Sequence, residues 1–168
     1  MANRVFKESQ KFNQPWVWLI IVTSYILVHF WGIQDLLRGH AYDSEPFIGA
    51  LVGIVLMNLL VLLFATMKLE TRIDLRGIHF RYRPLIHSWR SIHWEEMKSV
   101  EVKSYSPWLY GGWGIRLSLL GWAYNVRGNK GIVIKKKNGR RLLIGTQIPE
   151  AAQNAIHQLM NEEKVNHA

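Results

Sequence analysis

The chain has 168 residues, is 49% hydrophobic and 20% charged, and carries 21 Lys and Arg against 12 Asp and Glu. That size excludes a large multidomain enzyme, and the mixture is neither disordered nor collagen-like. Having no cysteine, it cannot build a disulfide framework, a Cys-ligated zinc or iron–sulfur site, or a thiol nucleophile, so the net charge of +9 becomes the main pointer to partners.

Residues 1–15 contain Phe6, Phe12 and the basic residues Arg4, Lys7 and Lys11, and are expected to form a short cytoplasmic segment along a membrane interface. Two uncharged apolar runs follow, Trp16 to Ile33 and Pro46 to Met67. At about 1.5 Å per residue they reach roughly 27 and 33 Å, against a hydrocarbon core of about 30 Å. They are read as a transmembrane hairpin over residues 16–67, with Trp16, Trp18 and Trp31 as interfacial anchors. The loop 34–45 carries Asp35, Asp43 and Glu45 against Arg38 alone, whereas Lys68, Arg72 and Arg76 closely follow the second run. The positive-inside rule then puts the loop outside and both termini in the cytoplasm. His29 reads as an interfacial histidine, and Gly49 and Gly53 form a G-x-x-x-G that permits close helix approach, whether to the first span, a second copy, another subunit or none.

From Lys68 onward the periodicity changes to alternation. Leu69, Thr71, Ile73 and Leu75 oppose Glu70, Arg72, Asp74 and Arg76, and Ile78, Phe80 and Tyr82 follow after an Arg76-Gly77 turn. Further strands are expected within Ile86 to Trp94, over Ser99 to Ser104 and over Ile115 to Leu120. The last two, Gly131 to Lys137 and Arg141 to Ile144, flank an Asn138-Gly139 turn of type I′. Pro149 and Glu150 then open an amphipathic helix through Ala152, Ala155, Ile156, Leu159 and Met160 that closes the domain, residues 68–168. The fold class is therefore α+β: two transmembrane helices, then a seven-stranded bent sheet or barrel capped by a C-terminal helix.

Four stretches, IHWEEMKSV (Ile92 to Val100), YGGWGIR (Tyr110 to Arg116), GNKGIV (Gly128 to Val133) and IGTQIP (Ile144 to Pro149), make this layout resemble the bacterial pleckstrin-homology-like (PH-like) membrane proteins. The resemblance implies a non-catalytic module that binds lipid headgroups, peptides or partner proteins beside a membrane, and the expected function is an adaptor in a bacterial inner membrane that assembles with a partner protein. A lipid-headgroup sensor and an obligate accessory subunit of a membrane enzyme or transporter are the alternatives. The tight Arg76-Gly77 turn stands where eukaryotic phosphoinositide-binding members carry a basic loop, so an inositol-phosphate pocket is not expected there.

Two constellations are candidate contact sites. Lys135, Lys136, Lys137, Arg140 and Arg141 gather five cations at the Asn138-Gly139 tip, suited to an anionic leaflet or an acidic partner. Trp108, Tyr110 and Trp122 form a candidate aromatic platform around the fold motif Gly111, Gly112, Trp113 and Gly114. No phosphate-binding loop, nucleophile elbow or zinc H-E-x-x-H appears, and the His87/His93 pair does not define a metal site. No enzyme, cofactor, metal, nucleic-acid reader or small-molecule substrate is expected. The expected partners are membrane lipids with a membrane protein or a second copy.

Overall fold

Side-chain alternation builds the sheets of this protein, and one strand comes from a segment whose alternation is polar. The computed structural model describes residues 6–38 and 45–166. It divides into a helical unit, Phe12–Thr66, and a β-sheet unit made of Met1–Lys11 with Met67–Ala168. In chain order the elements are β1 (Phe6–Lys11), α1 (Pro15–Leu37), α2 (Glu45–Thr66), β2 (Lys68–Asp74), β3 (Gly77–Arg83), β4 (Ile86–His93), β5 (Met97–Ser104), β6 (Gly114–Ser118), β7 (Gly121–Asn125), β8 (Lys130–Lys136), β9 (Arg141–Gly145) and α3 (Pro149–Asn166).

In the helical unit, α1 and α2 are long and apolar enough to cross a membrane, by length and composition. Leu51, Val55 and Leu59 of α2 and Leu19, Ile26 and Phe30 of α1 are exposed. Tyr25, His29 and Asn58 meet across the pair. Asn58 Nδ2 lies 3.1 Å from His29 Nε2 and donates to Ile54 O at 2.8 Å, the Tyr25 hydroxyl donates to Asn58 Oδ1 at 3.4 Å, and His29 Nδ1 lies 2.9 Å from Tyr25 O. His29 is thus an interhelical partner of Asn58. Gly53 has Val28 Cγ1 3.9 Å from its Cβ position and Gly49 faces open space, whereas a Cβ on Gly32 would meet Ile54 Cδ1 at 2.9 Å. Between α1 and α2 the tightest glycine contact is therefore at Gly32. Part of the 34–45 loop lies outside the described residues, and its first residues, Gln34 to Leu37, are the last turn of α1.

The β-sheet unit holds nine strands among the described residues, rather than seven. One sheet has the order β1-β2-β3-β4 and is antiparallel throughout, and the other has the order β5-β8-β9-β7-β6 with β7 and β9 parallel. The unexpected strands are β1 and β7. Lys11 of β1 pairs with Lys68 of β2, so the two flanks of the helical hairpin are neighbours in one ladder. The inward residues of β1 include Glu8 and Gln10 instead of apolar side chains. Gln10 Nε2 donates to Gly145 O at 2.7 Å, and the Glu8 carboxylate accepts from Thr146 Oγ1 and Gln147 N, both at 2.7 Å. Burying polar groups is tolerated because each finds a partner.

Leu69, Ile73, Ile78, Phe80 and Tyr82 are buried as their alternation predicts. The first turn is displaced by one residue: Asp74 pairs with Gly77, so Leu75-Arg76 form the loop and Leu75 is exposed rather than inward. In β4, only Ile92 is buried, and the register with β3 shifts between Phe80 and Tyr82. Ala152, Ile156 and Leu159 bury one face of α3. Gln153 Oε1 of that helix accepts from Val102 N at 3.0 Å, so α3 satisfies part of the β5 edge.

On the outer face of the first sheet, Glu70 binds Lys68 at 2.9 Å and Arg83 at 3.1 Å, and is hydrogen-bonded by Arg81. Burial pushes its carboxyl up, but the hydrogen bonds and charges of Lys68 and Arg81 outweigh that and hold it at about 2. Because the folded value is depressed, the stability Glu70 supplies is present above its ordinary 4.5 and is lost as pH falls through about 2. Glu70→Gln is therefore expected to lower the thermal midpoint of the full chain in detergent at neutral pH, with the gap to the parent narrowing from pH 4.5 and closing near pH 2.

Candidate functional site

The β8–β9 hairpin is closed by a turn rather than by the type I′ pair expected. Gly139 N donates to Lys136 O at 3.0 Å, Asn138 Oδ1 accepts from Arg140 N at 3.1 Å, and Gly139 alone takes positive φ, +82°, while Asn138 does not. That is a type I turn followed by a left-handed glycine, the usual three-residue hairpin loop. Its twist divides the five cations. Lys136 Nζ pairs with Glu96 Oε2 at 3.1 Å. Among the described residues no carboxylate lies within ion-pair distance of Lys135, Lys137, Arg140 or Arg141. Lys136, Arg140 and Arg141 line a groove, which Lys135 and Lys137 do not.

That groove, about 390 Å³, lies where β4 of the first sheet meets β7 and β9 of the second. Its apolar wall is Phe80, Ile92, Trp122, Tyr124 and Leu142. Trp122 stacks on Tyr124 with centroids 6.2 Å apart, and Phe80 leans on Tyr124 at 4.7 Å. Arg90 Nη1 donates to the Tyr124 hydroxyl at 3.0 Å, which fixes the guanidinium at the groove wall. Burial raises the Tyr124 hydroxyl above its ordinary value and the Arg90 charge partly offsets this, so the phenol stays neutral and can accept that bond. Arg90 was not anticipated as a functional residue because the pattern of β4 left its inward face unassigned.

The aromatic segment divides as well. Pro107–Tyr110 form one turn of 3₁₀ helix, and Gly111, Gly112 and Gly114 all take positive φ, so YGGWG is a sharply bent connector. Trp108 is 78% exposed and meets Trp113 edge-on at 6.1 Å, while the Trp113 indole donates to Gly128 O at 3.0 Å. Tyr110 packs edge-on against Tyr105 at 5.8 Å. Trp122, 45% exposed, belongs instead to the groove. Asn125 anchors the connector: its Oδ1 accepts from Gly114 N at 2.8 Å and its Nδ2 donates to the Tyr105 hydroxyl at 2.9 Å. The strand expected over 115–120 ends at Ser118, since Ser118 pairs with Gly121 and Leu119-Leu120 make the turn. Leu109, Leu117 and Leu119 are all well exposed, Leu119 completely.

A second groove, about 510 Å³, is lined by Arg72, Asp74, Leu75, Arg76, His79 and Trp89. Here Asp74 pairs with Arg72, Nε at 3.1 Å, and lies 3.0 Å from His79 Nε2. Unlike the first groove, this one carries a carboxylate in its own lining. His87 and His93 are engaged locally, their Nδ1 atoms lying 2.9 Å from Pro84 O and 3.2 Å from Arg76 O. Among the described residues no group of three or more His, Asp or Glu is placed to hold a metal ion. No protein-family model matches the chain and no curated protein matches it.

Proposed function

We propose that this protein is a non-catalytic, membrane-anchored adaptor that presents a PH-like β domain at the cytoplasmic face of a bacterial inner membrane and assembles there with a partner protein. The observation that carries this reading is the run of exposed apolar side chains between Trp108 and Trp122, with Trp108 at 78%, Leu109 at 68% and Leu119 at 107% exposure, the three most exposed large apolar side chains among the described residues of the β-sheet unit. Exposed apolar groups concentrated in this way mark association surfaces. The Lys11–Lys68 pairing supports the anchored topology. A hairpin whose two flanks are adjacent in one antiparallel ladder enters and leaves a bilayer on the same side, and the 17 basic against 8 acidic residues from Lys68 onward favour the cytoplasmic side. Anchoring raises local concentration, so that weak contacts suffice for assembly.

The test is extraction of tagged full-length chain at native level, followed by native mass spectrometry. A stoichiometric protein companion is expected with the parent, and at least a tenfold loss of it with the Trp108→Ser/Leu109→Ser/Leu119→Ser variant at unchanged chain abundance. A parent without a companion, or a companion indifferent to the triple change, overturns the reading. The lipid-headgroup reading is favoured by a separate observation, the unneutralised arginines of the groove at β4, β7 and β9.

A further inference from the structure

We infer that the groove between β4, β7 and β9 is a binding site for a phosphate-type oxyanion carried on an apolar group, the chemistry shared by a phospholipid headgroup and a small phosphoester. This rests on reading the β-sheet unit as a binding module, and it adds to that reading a site and a ligand class.

Three features of the groove converge. Its charged residues are Arg90, Lys136, Arg140 and Arg141, with no Asp or Glu in the lining. Only Lys136 has a carboxylate within ion-pair distance. Three guanidinium groups therefore face one concavity without a counter-ion from the protein. Guanidinium forks match the paired oxygens of a phosphate, and several of them suit its charge better than that of a single carboxylate. Second, the wall beneath them is apolar and aromatic, with Trp122 half-exposed over Tyr124. Such a wall lowers the local dielectric, strengthening the ionic contacts, and accepts an apolar moiety attached to the anion. Third, Arg90 is held by the Tyr124 hydroxyl rather than being free to extend into water, so less ordering is required on binding. A solvated hairpin tip has none of these properties, and Lys135 and Lys137, on the same tip, are the internal contrast.

The contrast supplies the experiment. Purified full-length chain in discs of neutral phosphatidylcholine is titrated with short-chain phosphatidic acid, reading tryptophan fluorescence and calorimetric heat, and separately with glycerol phosphate and inorganic phosphate. Binding of at least one of these probes is expected, with affinity lowered at least tenfold by Arg140→Gln/Arg141→Gln and less than threefold by Lys135→Gln/Lys137→Gln. Arg90→Gln is expected to act like the arginine pair, and Arg90→Lys, which keeps the charge without the fork, to fall between. Circular dichroism and the thermal midpoint verify that each variant is folded. Competition of phosphatidic acid by the soluble phosphates identifies the free phosphoester as an adequate source, whereas binding of the lipid alone identifies the headgroup. Equal losses from the arginine and lysine pairs would reduce the effect to diffuse attraction and overturn the site, as would the absence of binding to all three probes at millimolar concentration. Because Trp108, Leu109 and Leu119 lie outside the groove lining, failure here and failure of the partner experiment are separate results.

Discussion

Gly121→Ala is expected to destabilise the β-sheet unit by about 3–5 kcal/mol, the sum of strain at a disallowed backbone conformation and of overpacking against a neighbouring strand. Gly121 opens β7 with φ at +110°, and a Cβ there would stand 2.3 Å from Arg141 O and 2.9 Å from Arg141 C. Neither atom is the end of a flexible side chain. Relief requires β7 and β9 to separate where they run parallel, at Trp122 opposite Leu142. That junction also sets Trp122 and Arg141 side by side in the groove, so the expected result has two parts: a fall in the chemical-denaturation midpoint of the full chain in detergent, and a blue-to-red change in Trp122 emission as its stacking on Tyr124 is lost. Gly128→Ala is the control. It too takes positive φ, +81°, yet its Cβ would meet only Gln147 Nε2 at 3.7 Å, so it should cost about 1–2 kcal/mol from strain alone. Equal effects of the two substitutions would mean that close strand approach contributes nothing at Gly121.

What could be read along the chain, and what could not, follows the same physical division. Strands with apolar inward faces were legible: Leu69 to Ile73, Ile78 to Tyr82 and the β8 residues Ile132 and Ile134 are buried where period-two alternation puts them. The two apolar helices were legible from length and absence of charge. Illegible was β1, because its inward Glu8 and Gln10 are satisfied by residues 145–147, more than 130 positions away. Local pattern holds no trace of such a pairing. The other omitted strand, β7, is short and joins its sheet through a parallel pairing with β9, and its Trp122 reads as part of an aromatic platform rather than as a ladder residue. The five cations of the β8–β9 tip were visible as a cluster. Their division was not, since it depends on Glu96 reaching Lys136 and on Arg90 arriving from a different sheet.

These omissions share a consequence for function. The residues that sequence reasoning grouped by proximity along the chain, Trp108 with Trp122 and Lys135 with Arg141, are regrouped in three dimensions by the parallel β7–β9 contact. Trp122 and Arg141 fall on one surface with Arg90, and Trp108 with Leu109 on another. The proposed anion site and the proposed partner surface are therefore separate, and the connector between Tyr105 and Gly114 carries the second.

Asn125 governs that connector, and Asn125→Leu is expected to cost about 2–4 kcal/mol while loosening the aromatic segment more than the rest of the unit. The side chain is fully buried. Its amide satisfies two groups at once, accepting from Gly114 N and donating to the Tyr105 hydroxyl, and its backbone carbonyl accepts from the Tyr82 hydroxyl at 3.2 Å. Leucine is close in size, so the cavity contribution is small and the loss comes from two polar groups left without partners, each worth about 1–3 kcal/mol when buried. The Tyr82 bond, made to backbone, survives. Hydrogen exchange should therefore accelerate at the Gly114 amide and across Tyr105–Gly114 while amides of β2 and β3 keep their protection. Asn125→Asp separates hydrogen bonding from shape. Its carboxyl retains the acceptor for Gly114, but burial disfavours its ionised form and raises its folded value above that of the unfolded chain. The variant should then be most stable at low pH and lose stability as pH rises through that raised value. A pH-independent Asn125→Asp, or uniform exchange throughout the unit in Asn125→Leu, would remove Asn125 as the anchor of the exposed aromatic segment.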